Sequence, residues 1–230
     1  MLIYAMRPYT TIVLAMSADG KIADALRSPA RFGSAADKAH LESKIAEVDG
    51  VLFGAETLRA YGTSLRVTNS DLLQQRQQQG KPPQPVHIVC SRSARIDPDC
   101  RFFRQAFPRW LITTAEAAEQ WRDRPEFEQI LTPPMIQGQI DWAIALEQLT
   151  RLGLEKLVIA GGGTLVASLL AVDAIDELWL TVCPLLLGGV NAPTPVAGQG
   201  FLADAAPRLA LLSVKRVEQE VFLHYRLEPR

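Results

Sequence analysis

The sequence predicts an α/β protein, a sheet whose strands alternate with helices and whose C-terminal edge is an antiparallel pair. Three observations carry this. Short β-branched, apolar runs bounded by turn residues recur along the chain. Between them lie segments with helix caps and apolar residues spaced three and four apart. The last two runs, within 209–227, are separated by too few residues for a helical crossover, so they pair antiparallel.

Element by element, residues 9–16 (YTTIVLAM) form a buried first strand between Pro8 and the turn Ser17-Ala18-Asp19-Gly20. Ser34, with Asp37 three residues on, opens a helix over 35–48 that carries Leu41, Ile45 and Val48 on one face. Val51 to Phe53 is a short strand stopped by Gly54, followed by a helical turn at Thr57 to Ala60. The glutamine-rich stretch 71–80 is helical up to Gly80, and Pro82, Pro83 and Pro85 then enforce an extended link. Residues 86–91 and 110–113 are strands, and Thr114 caps a helix expected to run to Arg124. Asp141 caps another helix, with Trp142, Leu146 and Leu149 inward and Gly153 as its stop. Residues 156–160 are a strand, 164–172 a helix and 177–182 a strand. Similar strands lie on both sides of the proline cluster, so 1–230 reads as one domain.

Composition limits the function. Hydrophobic residues at 48% and charged ones at 21% exclude disordered and fibrous classes, and 230 residues suffice for one sizeable core. A net charge of −1 argues against a nucleic-acid or anionic-membrane binder. Cys90, Cys100 and Cys183 form no CxxC pair, and His40, His87 and His224 lack ligand spacing, so no metal is expected. His87, inside a strand, reads as a packed histidine. Arg7 and Pro8 interrupt the apolar N-terminus and 178–190 is too short to span a bilayer, so the expected location is cytoplasmic.

Candidate chemistry gathers at strand ends. In LVIAGGGTLVASLL (157–170) a strand runs into Gly161, Gly162 and Gly163 and then a helix. Such a turn exposes backbone N–H groups at a positive dipole end and suits a phosphate over Gly161 to Leu165, although it would equally serve as a bare β-to-α connection. Ser17-Ala-Asp19-Gly-Lys21 ends the first strand, either as an ordinary turn or as a ligand contact. The segment 53–62 ends another strand, and there Arg59 and Arg66 are either solvated cations or partners of a substrate phosphate. Ser91 closes the strand after the prolines. No GxSxG elbow and no Cys-His pairing is visible, which fits chemistry carried by a bound cofactor. No one of these segments is specific, and their recurrence at strand ends is the stronger argument.

In order, TIVLAMSADGKIA (11–23), VDGVLFGAETLRAYGTSLRV (48–67), PVHIVCS (85–91), residues 157–189 and the C-terminal hairpin resemble the reductase domain of the riboflavin-biosynthesis deaminase/reductase proteins. That domain belongs to the dihydrofolate-reductase-like superfamily. The resemblance implies a mixed, mostly parallel central sheet flanked by helices, with a C-terminal antiparallel hairpin. It implies a single reductase domain without the deaminase half, since no zinc-ligand pattern occurs, and usually a homodimer. The implied reaction is NADPH-dependent reduction of the ribose of 5-amino-6-(5-phosphoribosylamino)uracil to the ribityl product, with the nicotinamide held against the sugar C1′.

Carried onto matching positions, the cofactor should lie along Ala15, Thr57, Ser91 and the turn and helix from Gly161, Gly162, Gly163, Thr164 and Leu165 to Ser168. Ser28, Lys44, Leu65 and Arg66 match or neighbour the substrate-holding stretches, and Asp19 and Lys21 are the candidate catalytic residues. Two departures stand out. Ala160 replaces a glutamate common before the glycine turn, and Tyr61-Gly62 replaces the family's acidic residues. They leave open another pterin-like or pyrimidine substrate on the same fold, or a nucleotide-binding protein without catalysis.

Overall fold

A computed structural model describes residues 7–229, so positions 1–6 of the segment read for a leader lie outside the described residues. Nine strands form one sheet in the order β10-β11-β9-β1-β8-β2-β3-β4-β5. Their ranges are β1 Tyr9–Ser17, β2 Gly50–Gly54, β3 Val86–Cys90, β4 Arg109–Ile112, β5 Gln129–Leu131, β8 Lys156–Ile159, β9 Glu177–Cys183, β10 Leu209–Val217 and β11 Glu220–Leu227. From β9 to β5 all neighbours are parallel, while β11 pairs antiparallel with β9 and with β10. The mostly parallel sheet with an antiparallel C-terminal edge is the predicted architecture. The helices are α1 Ala35–Glu47, α2 Ala55–Tyr61, α3 Ser70–Gln78, α4 Ala115–Ala118, α5 Trp142–Arg151 and α6 Gly163–Leu170.

Strand alternation divides the core between the two faces of the sheet. Leu52 points to the face shared by Ile12, Ile88 and Ile159, covered by Leu146 and Leu149 of α5 and by Leu165 and Leu169 of α6. Val51 and Phe53 point to the other face, with Val13, Val89 and Leu111 under Ile45 of α1 and Leu58 of α2. An aromatic group of Phe102, Phe107, Trp121 and Phe127 completes that second side.

Three details differ from the sequence reading. The helix after Thr114 ends at Ala118 and tightens into a 3-10 turn at Glu119–Trp121, so it stops short of Arg124. Turning early drops Trp121 into the aromatic group, where it stacks on Phe103 and its Nε1 donates to the Ala94 carbonyl at 2.9 Å. β5 adds a further edge strand. A separate hairpin, β6 Met135–Ile136 with β7 Gln139–Ile140, turns on Gln137 and Gly138, both at positive φ.

Arg76 of α3 is 1% exposed and has no carboxylate partner among the described residues. Its guanidinium donates instead to the carbonyls of Ala46 and Val48, at the end of α1, and of Pro82 in the proline link. One side chain therefore joins three segments, and α3 is held by it despite its weakly apolar sequence. Arg76→Met would strand three carbonyls in a closed environment. It is expected to cost about 3 kcal/mol in urea unfolding, the desolvation penalty of buried unpaired acceptors; a loss under about 0.5 kcal/mol would refute this role.

Candidate active site

β8 lies between β1 and β2, so the turn that leaves it opens at the C-terminal ends of three adjacent parallel strands. Open α/β sheets present ligand crevices at such points. Gly161 and Gly162 adopt φ of 119° and 94°, a region that disfavours any residue with a Cβ. The turn is tied down because Gly54 N–H donates to Gly161 O at 3.4 Å and Ala160 N–H donates to Leu52 O at 2.9 Å. Gly162 is the N-cap of α6 and has no side chain to cap it, which leaves first-turn N–H groups for another acceptor. A Cβ on Gly163 would overlap the Thr194 carbonyl, and Gly163 O accepts from Ala197 N–H at 3.1 Å. The segment after β9 therefore packs directly on the first turn of α6.

These elements enclose a cleft of about 390 Å³. Ile22 and Ser28 form one wall, Thr57 and Tyr61 of α2 a second, and Gly162 and Gly163 a third. Of the residues singled out from sequence, Ser28, Thr57, Gly162 and Gly163 thus meet in one place. A Cβ added at Gly161 would come into van der Waals contact with the Thr57 side chain, so the turn runs beside that threonine.

The others fall outside the lining. Ala15 is half-buried on β1 opposite Thr181. Ser91 is buried at the end of β3, where its N–H donates to Ile112 O at 3.0 Å. Thr164 is exposed, whereas Leu165 is a core residue of α6. Leu65 packs against the second core, and Arg66 is exposed with no ion pair among the described residues. Lys44 stands towards the other end of α1, bridged to Glu47 at 3.0 Å and lying 4.7 Å above the Trp179 ring.

Asp19 is a strut of the loop that borders the cleft. Its carboxylate accepts from Ser17 Oγ at 2.6 Å, Leu187 N–H at 3.0 Å and Gly188 N–H at 2.6 Å. Those bonds, the Ser17 hydroxyl first, hold it down at about 2, so at neutral pH it has no proton to give. The backbone N–H of Lys21 donates to Ser17 Oγ at 2.9 Å, closing the same turn. Burial pushes His87 down to about 3, and it stacks on Phe107 at 3.8 Å, the packed role expected of it. Burial also drives Cys90 and Cys183 up to about 12, so neither offers a thiolate. Sequence reading missed the partners that span the cleft, Arg27 with Glu56 and Tyr61 with Ala30, since nothing local announces a contact 29 or 31 residues away.

The model for the RibD C-terminal domain matches residues 8–223. The chain belongs to this family. Among RibD C-terminal domain relatives, the 2,5-diamino-6-ribosylamino-4(3H)-pyrimidinone 5′-phosphate reductase of Archaeoglobus fulgidus is 30% identical, over 86% of this chain and 90% of that protein. The Riboflavin biosynthesis protein RibD of Escherichia coli is 28% identical over 94% of this chain but only 59% of its own length. Among solved structures, a pyrimidine reductase-like protein from Corynebacterium diphtheriae shares the fold at a TM-score of 0.78 and 24% identity, covering 97% of this chain and 93% of that one.

Asp19 makes a pH prediction for this RibD C-terminal domain. Its carboxyl is depressed from 3.8 to about 2 in the folded state, so its stabilisation is complete above about pH 4 and is lost as pH falls towards 2. In thermal melts Asp19→Asn should flatten the fall in stability across that window. An unchanged profile would remove Asp19 from the loop's support.

Proposed function

We propose that the chain is the NADPH-dependent reductase of riboflavin biosynthesis, reducing the ribosyl group of 5-amino-6-(5-phosphoribosylamino)uracil to the ribityl product. The observation that carries the reading is the convergence of Thr57, Ser28 and the uncapped glycine turn on one cleft, in a chain that aligns along 90% of a curated pyrimidinone phosphate reductase. The three reductase relatives from Archaeoglobus fulgidus, Methanothermobacter thermautotrophicus and Aquifex aeolicus carry the 2,5-diamino-pyrimidinone name. That favours the diamino-pyrimidinone 5′-phosphate as a second substrate to be tested beside the uracil.

The residues present fit a dinucleotide. Gly161 and Gly162 clear the space that a Cβ would fill, and the first turn of α6 offers N–H donors to a pyrophosphate. Thr57 Oγ1 adjoins that turn. When bound, the nicotinamide supplies the hydride. The chain's part is to bind, orient and exclude water, with Tyr61 closing the wall by donating its hydroxyl to Ala30 O at 3.0 Å. Of the two acid–base residues expected from sequence, Asp19 is committed as an acceptor. Lys21, next to Ile22 of the cleft lining, forms no ion pair among the described residues, and it takes the proton-donor role in this proposal.

The edge strand supports a homodimer. β10 exposes Leu209, Leu211, Leu212 and Val214, an apolar strip that a soluble chain ordinarily covers. The proposed cover is a second copy, pairing along this unpaired edge of the sheet.

Three measurements test these readings. Absorbance at 340 nm, with either substrate present, should fall only when protein, NADPH and substrate are combined. Gly162→Val, folded by circular dichroism, should weaken NADPH binding by at least tenfold, about 1.4 kcal/mol; unchanged affinity would take the turn out of the site. For assembly, sedimentation should show a dimer in the parent and a monomer for Val214→Glu. A monomeric parent would overturn the dimer.

A further inference from the structure

Residues 18–34 cross the mouth of the cleft as a strap, running from the end of β1 to the cap of α1. Both ends are anchored by carboxylates. Asp19 holds one, as described above. At the other, Glu220 of β11 is 3% exposed and accepts from Ser34 N–H at 2.8 Å and from Ser34 Oγ at 2.5 Å. Ser34 Oγ in turn accepts from Ala36 and Asp37 N–H and so caps α1. The tip between the anchors is preformed. Asp24 Oδ1 accepts from Leu26 N–H at 3.0 Å and Ser28 N–H at 2.9 Å, and Arg27 takes a left-handed φ of 58°.

The middle of the strap is held to α2 by Tyr61 on Ala30 and by an ion pair, Arg27 Nη1 to Glu56 Oε2 at 2.6 Å. That pair is open to water, with side chains 59% and 66% exposed, and exposed pairs of this kind are the weakest ionic contacts a protein makes. Arg27, Glu56, Ser28 and Arg59 all line the cleft. Arg59 donates to the Arg95 carbonyl at 3.2 Å and forms no carboxylate pair among the described residues. The cleft thus presents two guanidinium groups and three hydroxyls, those of Ser28, Thr57 and Tyr61. A single carboxylate occupies one guanidinium and repels any anion that fails to displace it.

We propose that Arg27 is a phosphate-ester ligand, parked on Glu56 until the 5′-phosphate of a phosphorylated substrate displaces that carboxylate. A phosphate dianion outcompetes the carboxylate because it brings more charge and accepts the guanidinium fork bidentately. Exchange keeps Arg27 at the cleft while it waits, and it makes the enzyme specific for the phosphorylated form. The inference rests on the reductase reading above. The ester belongs to the substrate, since Arg27 stands on the strap and the cofactor's phosphate donors stand on the opposite glycine wall.

The test compares the parent, Arg27→Gln and Glu56→Gln. Each is assayed on phosphorylated substrate and on its dephosphorylated ribosyl counterpart, with NADPH affinity read by fluorescence titration. Arg27→Gln should raise KM for the phosphorylated substrate about tenfold or more, the weight of a charge-assisted bidentate contact, and leave NADPH affinity and the dephosphorylated substrate unchanged. Glu56→Gln should lower that KM by about two- to fivefold, the worth of an exposed pair. An unchanged KM in Arg27→Gln, an equal rise for both substrates, or a fall in NADPH affinity would each overturn the proposal.

Calorimetric titration with ribose 5-phosphate reads the same contact without turnover. It should bind the parent and bind Arg27→Gln at least about tenfold more weakly. If the parent turns over neither pyrimidine yet ribose 5-phosphate still discriminates the two proteins, the reductase reading fails and the phosphate site stands. Equal binding, or none to either protein, would overturn the Arg27 site.

Discussion

The placement of β8 between β1 and β2 is the constraint on which the site depends. β1 arrives first in the chain and pairs on its other flank with β9, while β2 pairs onward with β3, so β8 enters late into a slot lined by backbone donors and acceptors. Leu157, Val158 and Ile159 are all at or near zero exposure, which is the price of a strand covered on both faces. Because its register with β1 ends at Ile12 and with β2 at Leu52, the chain leaves the sheet between two strands that continue past it. The glycines of 161–163 turn within that gap. A residue with a Cβ at Gly161 or Gly162 would be strained by φ alone, and one at Gly163 would collide with the segment after β9. The opening of the crevice and the need for glycine are one geometric fact.

A crevice made this way has one fixed wall and one adaptable wall. The glycine turn and α2 are welded to the central strands, with Leu58 buried in the core and Gly54 bonded to Gly161. The strap of 18–34 has no strand or helix of its own and relies on its anchors. Asp19 accepts three bonds and Glu220 is buried, whereas the bonds in the middle, at Tyr61 and Arg27, are exposed. Stability graded in this manner, firm at the ends and soft at the tip, is what a ligand-covering segment requires.

Much of the fold was legible because its signals are local. Alternation in Val51, Leu52 and Phe53, the cap at Ser34, the asparagine-free stop at Gly153 and the short connection between β10 and β11 each announce themselves within a few residues. The glycine turn and Thr57 were legible for the same reason, and the structure brings both to the cleft together with Ser28. What escaped depends on distance. Trp121 ends its helix early because aromatic partners at 103 and 127 await it. Lys44 was placed near substrate by its neighbourhood in sequence, yet α1 carries it to Trp179, a residue 135 positions later. The tie of Ser34 to Glu220 spans 186 positions and leaves no trace in either segment.

That last tie joins two parts of the molecule that would otherwise be independent. Glu220 is the first residue of β11, and β11 is the strand through which the exposed β10 reaches the rest of the sheet. Cys183, at the end of β9, also points its thiol at Glu220, at 3.5 Å. The carboxylate is therefore surrounded by a thiol, a backbone N–H and a hydroxyl, and the two strongest of these donors come from the strap. A buried polar side chain is tolerated where its hydrogen-bonding capacity is filled, and here Ser34 fills most of it. The antiparallel edge of the sheet and the strap at the cleft are thus joined through one buried carboxylate.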